Sequence, residues 1–115
     1  MLRSAVIGLG DIGPVHVKAI KGLPGAQLAA VCDIDQALRP QDTKLPFFTD
    51  YREMLEAMQP DCVDICLPHD LRYPAALGAA RAGCHVLTEK PLGMNIGEAK
   101  KFTELESTCQ VKVGV

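Results

Sequence analysis

The sequence predicts an α/β fold: a doubly wound, mostly parallel sheet with helices on both faces, built as a single domain over residues 1–115. Three observations predict it. Short apolar runs alternate with segments of helical spacing along the whole chain, the first apolar run ends in a cluster of glycines, and 115 residues suffice for one layered core.

The run Ser4-Ala5-Val6-Ile7 has the unbroken apolar character of a strand buried on both faces. From Ile12, apolar residues at positions 12, 15, 19, 20 and 23 recur at helical spacing, with Pro14 suited to a first turn and Gly22, Pro24 and Gly25 closing the helix. Leu28-Ala29-Ala30-Val31-Cys32 reads as a second buried strand ending at Asp33. Between Asp33 and Phe47, residues Pro40 to Thr43 and Pro46 leave room for no more than a short helix, so the usual crossover is abbreviated. Phe47-Phe48 is a minimal strand. Tyr51 to Met58 is a short helix with Met54, Leu55 and Met58 on one side, and Cys62 to Leu67 is a strand that Pro68 stops. Pro74 to Ala82 is an alanine-rich helix capped by Gly83, a composition that lets it lie close on a sheet. His85 to Thr88 follows as a strand. A longer helix, Ile96 to Thr108, turns Ile96, Ala99, Phe102 and Leu105 inward and leads to a last strand, Val111 to Val115.

Bulk properties exclude several classes of function. At 48% hydrophobic and 23% charged residues the chain is an ordinary globule, and no apolar run approaches the ~20 residues of a membrane span. Net charge is −2 and the twelve Lys and Arg are scattered, which argues against nucleic acid as a partner. The N-terminus enters a strand without a signal-peptide pattern, so a cytoplasmic location is expected. Five cysteines without a C-x-x-C pair read as small buried hydrophobes in a reducing compartment, and no metal site is expected. His16 and His85 read as packing residues.

Gly8-Leu9-Gly10-Asp11-Ile12-Gly13 is a G-x-G-x-x-G that leaves a predicted strand and opens a predicted helix, the context a dinucleotide-binding turn requires. Gly8 serves the tight turn, Gly10 lets a pyrophosphate approach the backbone, Gly13 lets helix and strand pack closely, and the helix N-terminus offers N–H groups. Gly8, Gly10, Asp11, Ile12 and Gly13 are therefore candidate cofactor-binding residues. Asp33 ends the second strand twenty residues beyond Gly13, where a carboxylate accepts from ribose hydroxyls, and Ile34 adjoins it. No cation sits beside Asp33 and Asp35 to receive a 2′-phosphate, so NAD is favoured over NADP. A glycine-rich turn followed by an acidic residue also fits a methyltransferase that uses S-adenosylmethionine.

Further along, Leu67-Pro68-His69 and Ala82-Gly83-Cys84-His85-Val86-Leu87-Thr88-Glu89-Lys90-Pro91-Leu92 complete a pattern. With the glycine turn and Asp33, it resembles the N-terminal NAD(P)-binding Rossmann domain of the glucose-fructose oxidoreductase and inositol dehydrogenase (Gfo/Idh/MocA) family across essentially the whole chain. The resemblance implies an NAD-binding domain of an oxidoreductase that moves hydride between a nicotinamide and a sugar, polyol or related metabolite. It implies Lys90 as a catalytic residue beside the nicotinamide and the substrate hydroxyl, Glu89 near the nicotinamide ribose, and Leu67, Pro68 and His69 along the nicotinamide half of the site. It leaves the S-adenosylmethionine reading with no account of Glu89-Lys90-Pro91.

Two departures from the family pattern stand out. The family's Thr-Pro-Asn, followed three residues after the Asn by His, is here Leu67-Pro68-His69 with Arg72, and Cys84 stands where Lys is usual. Family members also continue into a second domain that supplies most substrate contacts and further catalytic groups, and residues 1–115 contain no such domain. The chain is thus expected to bind the nicotinamide dinucleotide and to meet a small-molecule substrate only with a second domain; a free-standing NAD-binding or sensing module is the alternative. Uncovered apolar surface near the last strand is expected to favour a homodimer.

Overall fold

A computed structural model describes residues 1–115. The strands are β1 (Leu2–Ile7), β2 (Ala26–Cys32), β3 (Phe47–Phe48), β4 (Cys62–Ile65), β5 (His85–Thr88) and β6 (Val113–Gly114). The helices are α1 (Gly13–Lys21), α2 (Tyr51–Met58), α3 (His69–Arg81) and α4 (Ile96–Cys109). The strand order is β3-β2-β1-β4-β5-β6 and every pairing is parallel. Sheet order therefore reverses between β1 and β4, which opens a crevice at their carboxyl ends, where ligands of open α/β sheets bind.

Alternation along β1 feeds two cores. Ala5 and Ile7 join Val63, Ile65 and Val86 in the larger one, covered by Met54 and Leu55 of α2, the alanines of α3, and Phe102 and Leu105 of α4. Ala75, Ala76, Ala79 and Ala80 are all at most 1% exposed, so α3 lies against the sheet with almost no side-chain spacer. Phe102 is fully buried and meets Tyr73 edge-to-face at 5.2 Å between ring centroids. Val6, Leu9, Ile20, Val31, Leu45 and Cys66 form the smaller core on the other face, where α1 is the covering helix. That face is open over β5, so Leu87 is 43% exposed while its neighbour Val86 is buried.

Several sequence expectations need correction. Helix α3 begins at His69, five residues before Pro74, with Pro68 at its N-cap. Pro74 forfeits one helical bond near the N-terminal end, and Arg72 anchors the first turn from its side chain, as described below. Strand β4 ends at Ile65 rather than Leu67, and β6 is confined to Val113–Gly114; β1 and β2 each begin two residues earlier than expected. In helix α1 only Ile20 of the apolar positions is buried, together with Gly13; Val15 and Leu23 are exposed, and His16 points at the sheet. Ile96 is exposed because it starts α4 beside the capping Asn95, whose side chain accepts from the Glu98 N–H at 2.9 Å. Cys32, Cys66 and Cys84 are buried as expected, but Cys62 and Cys109 are only half-buried; all five thiols are free.

Candidate functional site

The glycine turn fills the crevice between β1 and β4. Gly8 has φ +100°, and a Cβ there would stand 2.7 Å from the Cys66 carbonyl oxygen, so both conformation and space demand glycine. A Cβ at Gly13 would collide with the Gly8 carbonyl, whereas one at Gly10 would meet nothing within 4 Å. Gly10, Asp11 and Ile12 are exposed, and no side chain caps the N-terminus of α1. The turn thus presents a bare backbone and a helix N-terminus to open space, the fit a dinucleotide pyrophosphate requires.

Asp33 is tied to this turn. Its Oδ2 accepts from the Leu9 N–H at 2.7 Å and its Oδ1 from the Asp35 N–H at 2.9 Å. Each oxygen keeps a further lone pair for a ribose hydroxyl. Beside it lies an apolar hollow of about 350 Å³ between Ile34, Thr49, Tyr51, Leu67, Leu71 and Pro74. Two larger hollows, about 850 and 710 Å³, lie at the amino ends of the strands around Pro60 and Ala26, away from the glycine turn, and we assign the cofactor to neither.

At the other end of the crevice, a hollow of about 370 Å³ is lined by His16, Leu87, Thr88, Glu89, Lys90 and Val115. Lys90 is exposed and makes no ion pair. The Lys90–Pro91 peptide bond is cis. Arg72, buried in α3, donates from Nε to the Leu67 carbonyl at 2.7 Å and from Nη1 to the Glu89 carbonyl at 3.2 Å, with the Lys90 carbonyl at 3.4 Å. Its guanidinium therefore fastens the loop after β4 to the loop after β5. Leu67 is half-buried, while Pro68 and His69 are exposed and the His69 ring makes no hydrogen bond.

His16 is not a packing residue. Its ring stands between two carboxylates, Nδ1 at 2.5 Å from Asp64 Oδ2 and Nε2 at 2.6 Å from Glu89 Oε1. Burial pulls its pKa down, but hydrogen bonds and charge from Asp64 and Glu89 outweigh this and raise it above the usual histidine value. Asp64, on the central strand β4, is 4% exposed, and burial raises its carboxyl pKa despite His16. Cys66 Sγ lies near the same donors, within 4.8 Å. Burial and the neighbouring carboxylates push its thiol up to about 12, so it stays protonated at neutral pH. Both imidazole nitrogens are already engaged, and the cluster is built to hold a proton. His85 is likewise not packed: it is exposed, and its Nδ1 accepts from the Lys112 N–H at 3.0 Å.

The structure thus gathers Gly8, Gly10, Asp11, Ile12, Gly13, Asp33, Ile34, Leu67, Pro68, His69, Glu89 and Lys90 along one edge of the sheet. Sequence reasoning missed His16 and Asp64 as partners. The available signal was Asp64 itself, a carboxylate within the apolar strand Cys62-Val63-Asp64-Ile65, which demands a buried partner.

A family model described as "Oxidoreductase family, NAD-binding Rossmann fold" matches residues 2–115. The chain is 35% identical over 108 residues to D-glucoside 3-dehydrogenase of Escherichia coli (strain K12), covering 90% of this chain and 31% of that protein. It is 30% identical over 123 residues to the alpha-N-acetylgalactosaminidase of Shewanella oneidensis, covering 96% of this chain and 27% of that protein. Scyllo-inositol dehydrogenase of Lactobacillus casei, crystallised with NAD(H) and scyllo-inositol, superposes with a TM-score of 0.88 over 98% of this chain and 35% of its own, at 24% identity, a likeness of fold. The chain spans about a third of the length of these relatives.

Proposed function

The chain belongs to the Gfo/Idh/MocA oxidoreductase family and is an NAD-binding Rossmann domain; on that premise we propose that Lys90 is the catalytic residue it contributes to oxidation of a sugar or polyol hydroxyl. The observation that carries this reading is the exposed, unpaired Lys90 in the same hollow as Glu89, at the carboxyl end of β5 and across the crevice from the glycine turn. Bound nicotinamide supplies the hydride acceptor or donor. Gly8, Gly10, Asp11, Ile12 and Gly13 hold its pyrophosphate, and Asp33 and Ile34 hold the adenosine end. Leu67, Pro68, His69 and Glu89 border the nicotinamide half. With the nicotinamide and substrate bound, the Lys90 ammonium would polarise the substrate oxygen as the carbonyl develops.

Substrate positioning comes from outside these residues. Orienting a donor carbon against the nicotinamide in a water-poor site accounts for roughly 7–11 kcal/mol of barrier lowering, and a solvated lysine on an open sheet edge does not supply it. Residues 1–115 alone therefore bind NAD without turning over a sugar or polyol. The sheet face left open over β5, with exposed Leu87 and Val115, receives a further domain or pairs with a second copy at high concentration. No helix is long and apolar enough to cross a membrane. Five free thiols support a reducing, cytoplasmic setting for the domain.

The experiment is a turnover assay with NAD against a panel of sugars, polyols and aryl glycosides, the last included because several matched relatives are named glycosyl hydrolases. The 115-residue chain is expected to be inactive, and a longer product of the same gene active and silenced by Lys90→Ala. Full activity of the longer product carrying Lys90→Ala would remove Lys90 from the mechanism.

A further inference from the structure

We infer that His16 is a positioning residue: as an imidazolium it holds the Glu89 carboxylate in the cofactor crevice, and so couples binding of the nicotinamide half of the dinucleotide to a single proton. The inference rests on the cofactor reading above and goes beyond it.

The geometry forces the coupling. A ring that stands 2.5 Å from one carboxylate and 2.6 Å from another donates to both only when both nitrogens carry protons. Loss of one proton turns a nitrogen lone pair toward a carboxylate oxygen, and one of the two carboxylates must leave. Asp64 has nowhere to go: it is 4% exposed and its backbone is paired within the sheet, opposite Val6 and Leu87. Glu89 follows the end of β5 on a longer side chain that is 25% exposed. Glu89 is therefore the carboxylate released, and it is the one that lines the hollow with Lys90.

The groups facing His16 decide which way the proton goes. Asp64 and Cys66 face it from β4 and the residue beyond, and Glu89 and Lys90 from the end of β5. Arg72 approaches from α3 through the carbonyls of Leu67 and Glu89. The thiol of Cys66 stays protonated, so the two nearest charges are carboxylates and they favour the imidazolium. Lys90, in the same hollow, and Arg72, on the Glu89 carbonyl, carry the opposing positive charge. The adenosine end of the crevice, at Asp33, makes no contact with this cluster.

Reciprocity makes the test sharp, because a proton that assists NADH binding must itself be held more tightly once NADH is bound. The His16 imidazole of the wild-type chain is titrated by NMR alone, with NADH and with ADP, which has the adenosine and pyrophosphate but no nicotinamide ribose. Fluorescence and calorimetric titrations over the same pH range give the affinities. NADH is expected to raise the His16 pKa and ADP to leave it unmoved. NADH affinity should fall about ten-fold as pH rises through the His16 titration, the loss of one charge-assisted hydrogen bond, whereas ADP affinity should follow only the titration of its own terminal phosphate and be the same in wild type and His16→Gln. His16→Gln should bind NADH with the weaker affinity at every pH and keep ADP binding unchanged. An unshifted His16 titration in saturating NADH overturns the inference and leaves the cofactor reading standing. Failure of the wild-type chain to bind NADH at any pH overturns both.

Discussion

The Nε of Arg72 donates to the Leu67 carbonyl at 2.7 Å while Nη1 of the same guanidinium reaches the Glu89 carbonyl at 3.2 Å, so one buried side chain joins the two loops that border the nicotinamide half of the crevice. Its planar fork supplies donors in two directions, which a lysine ammonium of the same charge does not reproduce. Arg72→Met is expected to leave those carbonyls unpaired and lower the unfolding free energy by about 2–3 kcal/mol. Urea unfolding measures this, and a loss below roughly 0.5 kcal/mol, the size of an ordinary surface change, would show that the clasp contributes nothing.

A second expectation concerns cofactor choice. Asp33 already accepts two backbone N–H groups, which fixes its carboxylate beside the glycine turn, and Asp35 follows two residues on. A 2′-phosphate placed there meets fixed negative charge at a cost of about 1–4 kcal/mol, so NADH should bind about five-fold to several hundred-fold more tightly than NADPH. Equal affinities in paired calorimetric titrations would contradict this assignment of Asp33.

Thr88 offers a test of a different kind, since its hydroxyl is buried at the end of β5 with no hydrogen-bond partner. Replacing it by the isosteric valine removes an unpaired polar atom and keeps the volume. Thr88→Val should raise thermal stability, by up to about 1–3 kcal/mol if the full desolvation cost is recovered. A marked loss of stability would mean that the hydroxyl has a partner in solution.

The pH dependence of stability follows from His16. Its folded pKa lies above its unfolded value, so the folded state holds the proton more tightly. The resulting stability is fully present below pH ~6.5, the unfolded histidine value, and is lost as pH rises through the folded value. Asp64 is also raised, chiefly by burial, and by the same sign its contribution declines as pH rises through its folded value. Unfolding free energy should therefore fall from neutral toward alkaline pH in the wild-type chain and fall less in His16→Gln. A parallel decline in both would place the titrating group elsewhere.

The elements that were legible in the sequence are those whose signal is local. The glycine turn, Asp33 and the strand runs of β1, β2 and β5 each carry their own chemistry, and their sheet order follows from strand-helix alternation. Along α1 the helical spacing of apolar residues marks the buried face only at Ile20, because Ile12, Val15 and Leu23 keep that spacing but lie on the solvent side. The inward position went to His16, whose value depends on Asp64, 48 residues away, and Glu89, 73 residues away. The start of α3 was obscured by Pro74, which ordinarily opens a helix, because the anchor that sustains the earlier turn is a side-chain bond from Arg72. Pairings of this range leave no periodicity to read; an isolated charge in an apolar strand is their one visible trace.

If the glycine turn between β1 and β4 holds a nicotinamide dinucleotide, calorimetric titration of the chain and its Gly10→Val variant with NADH distinguishes the two proteins. A Cβ at Gly10 meets no protein atom, so the valine should leave the circular dichroism spectrum unchanged while filling the space the pyrophosphate needs. The wild-type chain should bind NADH saturably and one-to-one, and the folded variant should not bind it. Undiminished NADH binding by a folded Gly10→Val chain would contradict this role of the glycine turn.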